Sequence, residues 1–266
     1  MKYAFMTFST PQLNLTEVLA TARKYGYDGV EPRLDAGHAH GIEVAAPAAR
    51  RRTIRQEAGD AGVALACLAT SITYADPAKT ADMLRQTRER IDLAGDIGAP
   101  ALRVFGGGIP QGVSRTQAMD LLVKSLADVA DDAASRGVTL CLETHDDWCD
   151  PAHVATVLRR VNHPAVAANW DVMHPVRTRA ATIEEAFAAL KPWIRHLHVH
   201  DGAGENVTFL PLGKGEYDHS RVIALLASMG YAGFLSGEWI NWEPFDIHLP
   251  RELATLRAYE RETARR

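Results

Sequence analysis

The sequence predicts an α/β protein with a (β/α)8 barrel fold, from its length, a repeated helix–glycine–strand unit and the residues that follow its first strand. The chain has 266 residues, and barrels of about 250 residues routinely form one unit. Hydrophobic residues make up 47% and charged residues 23%, which is typical of a globular protein with a sizeable core. No linker or shift in composition divides the chain, so we expect one domain over residues 1–266.

The repeated unit is a helical pattern, a glycine and a short β-prone run. Glycine adopts the left-handed conformation after a helix at low cost, and the chain can then turn into a strand. Repetition at the length of one βα unit makes the strands parallel and connects them by helical crossovers. The unit occurs at Gly26, Gly62, Gly98, Gly137 and Gly230.

The interval between Gly137 and Gly230 has room for two further units, and the sequence supplies strands at 166–169 and 194–200. With a first strand at 3–9, this makes eight strands. Apolar residues at three- and four-residue spacing mark the intervening helices. These are predicted at 15–25, 80–94, 116–134, 183–190 and 222–229, and a final helix runs from about 249 to 266.

An open, doubly wound sheet is the rival fold. Its nucleotide-binding members carry a glycine-rich phosphate motif after the first strand. Here Ser9-Thr10-Pro11-Gln12 stands at that place. The barrel is therefore favoured.

Charge, hydropathy and cysteine use narrow the choice of partners and compartment. A net charge of −4 provides no basic surface for nucleic acid, and no apolar run reaches the roughly 18 residues of a membrane span. The N-terminus lacks the pattern of a signal peptide. Cys67, Cys141 and Cys149 cannot all pair, and the first two lie in apolar runs typical of reduced, packed thiols. We expect a cytoplasmic protein without nucleic-acid or membrane partners; its oligomeric state, homo-oligomers included, stays open.

Ionisable side chains mark the ends of the last four predicted strands, the end of a barrel where active sites are built. Such groups are costly to bury in apolar runs unless they are paired or coordinated. A divalent cation supplies the counter-charge, and one imidazole with three carboxylates suits Mn, Co or Mg, although Zn can also occupy such a site. The residues are Glu143 and His145 on the fifth strand, Asp171 and His174 on the sixth, His196, His198 and His200 on the seventh, and Glu238 on the eighth.

The three histidines of the seventh strand share one face, because side chains alternate along a strand. Only one of them need be a ligand. His200 is open to a substrate contact or to a pair with Asp201, and the deeper His196 is interpreted as a hydrogen-bonded core residue.

Further strand-end residues also have more than one interpretation. His174 and His145 face the barrel mouth, where they contact substrate or support the site. Arg103 lies in mid-strand and is interpreted as a structural charge, while the role of Glu31 on the second strand is ambiguous. A lone strand-end Glu is more often part of a salt bridge, but carboxylates and imidazoles from four adjacent strands favour a site.

This ordered set of motifs resembles the xylose isomerase-like TIM-barrel superfamily of sugar (phosphate) isomerases and epimerases. The resemblance spans essentially the whole chain. It rests on Glu143-Thr144-His145, Asp171-x-x-His174, His196-x-His198, Ser236-Gly237-Glu238-Trp239 and the loop Pro211-Leu212-Gly213-Lys214-Gly215.

The resemblance implies four ligands for one divalent metal: Glu143, Asp171, His198 and Glu238. It also implies that Glu143 and Glu238 form the acid/base pair and that His174 binds a substrate oxygen. The protein would then be a metal-dependent isomerase or epimerase of a small carbohydrate, acting through an enediolate. No organic cofactor is required.

The sequence departs from this family at positions that bear on substrate. Ketose 3-epimerases of the family place an Arg beyond the seventh-strand His, where this chain has Gly204 and Glu205, and His200 replaces a common Lys. The sugar and its phosphorylation therefore stay open. Lys214 and the glycines 106–108 are either phosphate contacts or ordinary loop residues.

Three other functions are open to such a scaffold. One is a lyase that dehydrates an inosose-like polyol after the same proton abstraction. An abasic-site endonuclease requires further metal ligands, but Ser71, Gly106 and the loop 211–215 stand at those places. A non-catalytic sugar-binding module is disfavoured because all four ligand positions are intact.

Overall fold

The computed structural model describes residues 1–204 and 207–265. The strands in this part of the chain form a nine-stranded parallel sheet and a two-stranded hairpin. Glu205 lies outside the described residues. In chain order the strands are β1 (Lys2–Met6), β2 (Gly29–Glu31), β3 (Ala64–Leu65), β4 (Leu68–Thr73), β5 (Ala101–Phe105), β6 (Thr139–Glu143), β7 (Val166–Asp171), β8 (Ile194–Val199), β9 (Asp201–Ala203), β10 (Thr208–Leu210) and β11 (Phe234–Gly237). The sheet order is β3-β2-β1-β11-β8-β7-β6-β5-β4. The predicted (β/α)8 barrel is confirmed.

The third predicted strand is divided into β3 and β4, so nine segments fill the eight positions of the barrel. The first segment pairs with β2 and the second pairs with β5. A bridge between Arg33 and Ala69 joins β4 to the residues that follow β2. There the Leu34 amide donates to the Ala69 carbonyl at 2.9 Å. The barrel wall is closed because β3 pairs with β2, β4 pairs with β5, and the bridge at Ala69 connects β4 back to the residues after β2.

Helices cover the outside of this wall. Capping boxes start the helices Leu15–Tyr25, Arg115–Ser135 and Ile183–Leu190 at Asn14, Ser114 and Thr182, and the first of these helices ends on the left-handed Gly26. The bounds of the first and third of these helices are those predicted, whereas the last helix of the chain starts earlier than predicted. The helices are α1 (Leu15–Tyr25), α2 (Ala48–Ala61), α3 (Thr80–Ile97), α4 (Arg115–Ser135), α5 (Pro151–Val161), α6 (Met173–Arg177), α7 (Ile183–Leu190), α8 (His219–Ser228) and α9 (Phe245–Ala264).

Apolar side chains fill the space between strands and helices, and small residues fill part of the interior of the barrel. Cys67 and Cys141 lie together with Ala101 and Ala167 in a buried cluster. All three cysteines are free and buried, and for Cys67 and Cys141 this is the state that the sequence predicts. Within the described residues, no helix has the length and hydropathy needed to cross a membrane.

The glycine run after β5 packs against an aromatic ring. A Cβ atom built on Gly106 would lie 2.2 Å from the Trp148 indole, and Trp148 Nε1 donates to the Gly107 carbonyl at 2.9 Å. Trp148 is fully buried. Close packing therefore accounts for the glycine at position 106.

We expect Gly106→Ala to lower the free energy of unfolding by about 1–3 kcal/mol, because the added methyl group overpacks the Trp148 contact. Urea denaturation measures the change. Gly59→Ala is the matched control: nothing lies within 4 Å of the new Cβ, and replacing a helical glycine adds about 0.5–1 kcal/mol of stability. Equal stabilities of the two variants would contradict this packing account.

Candidate metal centre and substrate pocket

Four donor residues meet at the C-terminal end of the barrel because parallel strands end at the same edge. Glu143 and Asp171 are the last residues of β6 and β7, and Glu238 follows β11. His198 of β8 is in register with Asp171 on one side and with Ser236 on the other. One ligand atom from each donor lies within 4.8 Å of the others, and all four residues are buried. The structure thus brings together the four residues that the sequence assigns to a metal.

His198 lies in the middle of these carboxylates. Its Nδ1 is 3.0 Å from Glu143 Oε1 and 3.2 Å from Glu238 Oε2. Burial alone would lower the pKa of His198, but Glu31, Glu143 and Glu238 outweigh it and raise that pKa well above its ordinary value. The Nδ1 side of the ring is therefore the side that faces the donor cluster.

Glu31, whose role the sequence leaves ambiguous, occupies the other side of the ring. Its carboxylate is 3.1 Å from His198 Nε2 and 2.8 Å from His196 Nε2. Burial opposes ionisation of Glu31, but the two imidazoles hold its pKa well below the usual range. This contact orients His198 and gives His196 a hydrogen-bond partner. The feature of the sequence that points to Glu31 is its position as a carboxylate at the end of a buried strand.

Arg103 contacts the donor cluster directly, which sequence reasoning does not anticipate. Its Nε lies 3.1 Å from Glu143 Oε2, and both side chains are at most 2% exposed. Its Nη1 donates to the Thr70 carbonyl at 2.7 Å. The guanidinium group therefore holds one oxygen of Glu143 while the other oxygen faces His198.

Asp171 connects the donor cluster to the pocket histidines. Its Oδ1 accepts from the amides of Met173 and His174 at 2.8 and 3.1 Å, where α6 begins. Its Oδ2 is 3.0 Å from His200 Nε2 and 3.8 Å from His174 Nε2. Burial lowers the pKa of His200, but Asp171 outweighs it and raises that pKa to about 9.

Asp201 is not the partner of His200. The pair between these two residues, which the sequence left open, is therefore wrong. Its carboxylate accepts from the amides of Gly213 and Gly215 at 2.8 and 3.0 Å. His200 Nδ1 instead contacts the Glu238 carbonyl at 3.1 Å. The buried Asp201 organises the loop that contains Lys214.

A pocket of about 340 Å³ opens onto the donor cluster through Glu238. The rings of His145 and His174 are 4.4 Å apart between centroids, and those of His174 and His200 are 5.9 Å apart. The three histidines assigned to substrate from the sequence therefore line one cavity, and their roles stay predictions. The lining residues are His145, Met173, His174, Arg177, His200, Val207, Phe209, Glu238 and Ile240.

Comparison with known families agrees with this fold and arrangement. A family model described as "Xylose isomerase-like TIM barrel" matches residues 19–260. The chain belongs to this family. The sequence resemblance is thereby confirmed.

Three proteins that are similar to the chain share 18–22% sequence identity with it. A Xenopus laevis protein named "Putative hydroxypyruvate isomerase" is 22% identical over 195 residues, which cover 69% of this chain and 66% of that protein, slightly under two thirds. A solved D-psicose 3-epimerase with D-fructose is 18% identical, with a TM-score of 0.81 and coverage of 98% and 99%. A Bacillus anthracis protein described as a "probable 3-DHS dehydratase" is 19% identical, with a TM-score of 0.81 and coverage of 97% and 99%. At these identities, the structural similarity shows the shared fold alone.

Proposed function

We propose that the protein is a divalent-metal-dependent isomerase or epimerase of a small sugar. The observation that carries the proposal is the convergence of Glu143, Asp171, His198 and Glu238 within 4.8 Å, at a pocket that Glu238 also lines. One imidazole and three carboxylates suit Mn, Co or Mg, and Zn tolerates the same set.

The concentration of buried carboxylates in the donor cluster fits a cation. Glu143 Oε2 and Asp171 Oδ2 are buried, and their charged neighbours among the described residues are Arg103 Nε at 3.1 Å and His200 Nε2 at 3.0 Å, neither in good hydrogen-bond geometry. Among the described residues, the cluster and Glu31 together contain four carboxylates, and the cationic groups that face them are the Arg103 guanidinium and the imidazoles of His198 and His200, whose pKa values the carboxylates raise. Buried carboxylates require paired or coordinated partners, so the donor set supports metal binding.

In this proposal the two glutamates transfer protons on the sugar. A divalent cation held by the four donors would supply Lewis-acid stabilisation for the negative charge of an enediolate. Glu238, which lines the pocket, and Glu143 act as the base that removes a carbon-bound proton and the acid that returns one. In the same proposal His145, His174 and His200 contact the sugar from the pocket wall, and Phe209 and Ile240 provide apolar walls.

We expect the purified protein to bind one divalent ion per chain and to be activated best by Mn or Co. Elemental analysis measures the metal, and incubation with aldoses and ketoses in deuterated water detects proton exchange at carbon by mass spectrometry. Deuterium in an isomeric product supports the proposal, whereas loss of water indicates a dehydratase on the same scaffold. Activity that survives exhaustive chelation would contradict the metal assignment.

We expect Glu31→Gln to weaken metal binding by about 10–100-fold, the usual effect of removing a carboxylate that orients a ligating histidine. The amide keeps the size of the side chain but removes the charge that faces His198 Nε2. Competition with a chelating dye measures the affinity. Glu57→Gln is the control, since Glu57 pairs with Arg50 on α2, outside the barrel. Unchanged affinity in Glu31→Gln would show that Glu31 does not orient the ligand.

A further inference from the structure

A second cavity lies beside the substrate pocket at the same end of the barrel. It has a volume of about 400 Å³ and lies where the residues after β1 meet those between β11 and α9. The substrate pocket includes Ile240, and the second cavity includes the residues on both sides of it, Trp239 and Asn241. Phe209 lines the substrate pocket and Trp242 lines the second cavity, and the centroids of the two rings are 6.1 Å apart.

The walls of the second cavity combine aromatic rings with hydrogen-bonding side chains. Phe8, Trp242 and Phe245 present rings, while Gln12 and Asp246 present an amide and a carboxylate. Trp242 is held in place by Trp239, stacked at 6.5 Å, and by the Arg251 guanidinium at 5.1 Å. A fixed ring with polar groups around it is the arrangement that holds a small polar ligand with an apolar face.

We propose that the second cavity binds a neutral sugar ring that is glycosidically linked to the sugar in the substrate pocket. The substrate class is thus a disaccharide or another glycoside. A sugar ring has apolar C–H faces that suit the rings of Trp242 and Phe245, and hydroxyl groups that suit the side chains of Gln12 and Asp246. The proposal rests on the proposed function, because the first ring occupies the pocket next to the donor cluster.

The charges of the residues that line the second cavity favour a neutral ligand over a phosphate group. No Lys or Arg is among the residues that line the cavity, whereas Glu243 and Asp246 are. Arg251, whose guanidinium packs on the Trp242 ring, is engaged with Glu243 and Glu252, each at 2.6 Å. A phosphorylated extension would meet the Asp246 carboxylate without a free counter-charge, so a neutral ring is favoured.

The test is calorimetric titration of the full, metal-loaded chain. The disaccharides are maltose, cellobiose, lactose and isomaltulose, and their component sugars glucose, galactose and fructose are titrated separately. We expect at least one disaccharide to bind at least tenfold more tightly than either component sugar. Trp242→Ala should remove about tenfold of that advantage, as expected when an aromatic side chain that contacts a ligand is truncated. Trp242→Phe keeps a ring and should restore most of the advantage, and circular dichroism checks that each variant is folded. Trp193→Phe, on the outer face against Arg159, should bind like the parent protein.

Two outcomes would overturn the subsite: no disaccharide binds better than its components, or Trp242→Ala keeps the full advantage. The titration needs no turnover, so its failure is distinguishable from failure of the proposed function. Proton exchange on monosaccharides without a disaccharide advantage refutes the subsite alone. A Trp242-dependent disaccharide advantage without any metal-dependent exchange supports the subsite and refutes the isomerase or epimerase activity.

Discussion

Glu143→Gln and Glu238→Gln are each expected to lower turnover by about 10²–10⁴-fold, the usual contribution of general acid–base catalysis. Glutamine keeps the size of the side chain and one oxygen donor, so partial metal binding persists while proton transfer is lost. Steady-state kinetics at matched metal occupancy measures the effect. Glu184→Gln is the control, since Glu184 pairs with Arg221 on the surface and should have no influence on turnover.

The two glutamates differ in their surroundings, and this difference makes a sharper test. Glu238 is 8% exposed and lines the pocket, whereas Glu143 is 1% exposed and contacts Arg103. If the two carboxylates serve opposite faces of the sugar, one variant should still exchange a substrate proton with solvent while failing to complete the conversion. Near-normal turnover in both variants, with metal bound, would refute the two-carboxylate mechanism. His174 and His200 would then be the candidate bases.

His198→Ala is expected to abolish metal binding, because it removes the imidazole whose ligand atom lies within 4.8 Å of those of Glu143, Asp171 and Glu238. Elemental analysis after dialysis measures the loss. His200→Ala should mainly raise KM for the sugar, since His200 lines the pocket. If His198→Ala keeps the metal and His200→Ala loses it, the metal ligand is His200, the next inward-facing residue along the chain, and not His198.

His196→Ala completes this comparison as the structural control. Its ring donates to the buried Glu31 at 2.8 Å, and loss of a partner for a buried polar group costs about 1–3 kcal/mol. We therefore expect a lower free energy of unfolding in urea with metal still bound. A metal affinity as low as that of His198→Ala would contradict the division of roles along β8.

The fold and the strand-end donors were predictable from the sequence because their signals are local. A capping residue and a helical apolar period lie within one stretch of chain, which is why α1 and α7 have the predicted bounds. The strand-end positions of Glu143, Asp171 and Glu238 follow from parallel strands that end at one edge. These features depend on neighbours a few residues away.

Long-range contacts could not be predicted in this way. Glu31 and His198 are separated by 167 residues, and whether Glu31 faces His198 or a salt-bridge partner depends on closure of the barrel and on side-chain rotamers. The same holds for Arg103 against Glu143 and for the division of the third strand into β3 and β4. The sequence by itself determined which residue types stand at the active end of the barrel. Only the tertiary structure decided which atoms of those residues meet, because each such contact joins strands that are distant along the chain and adjacent only in the closed sheet.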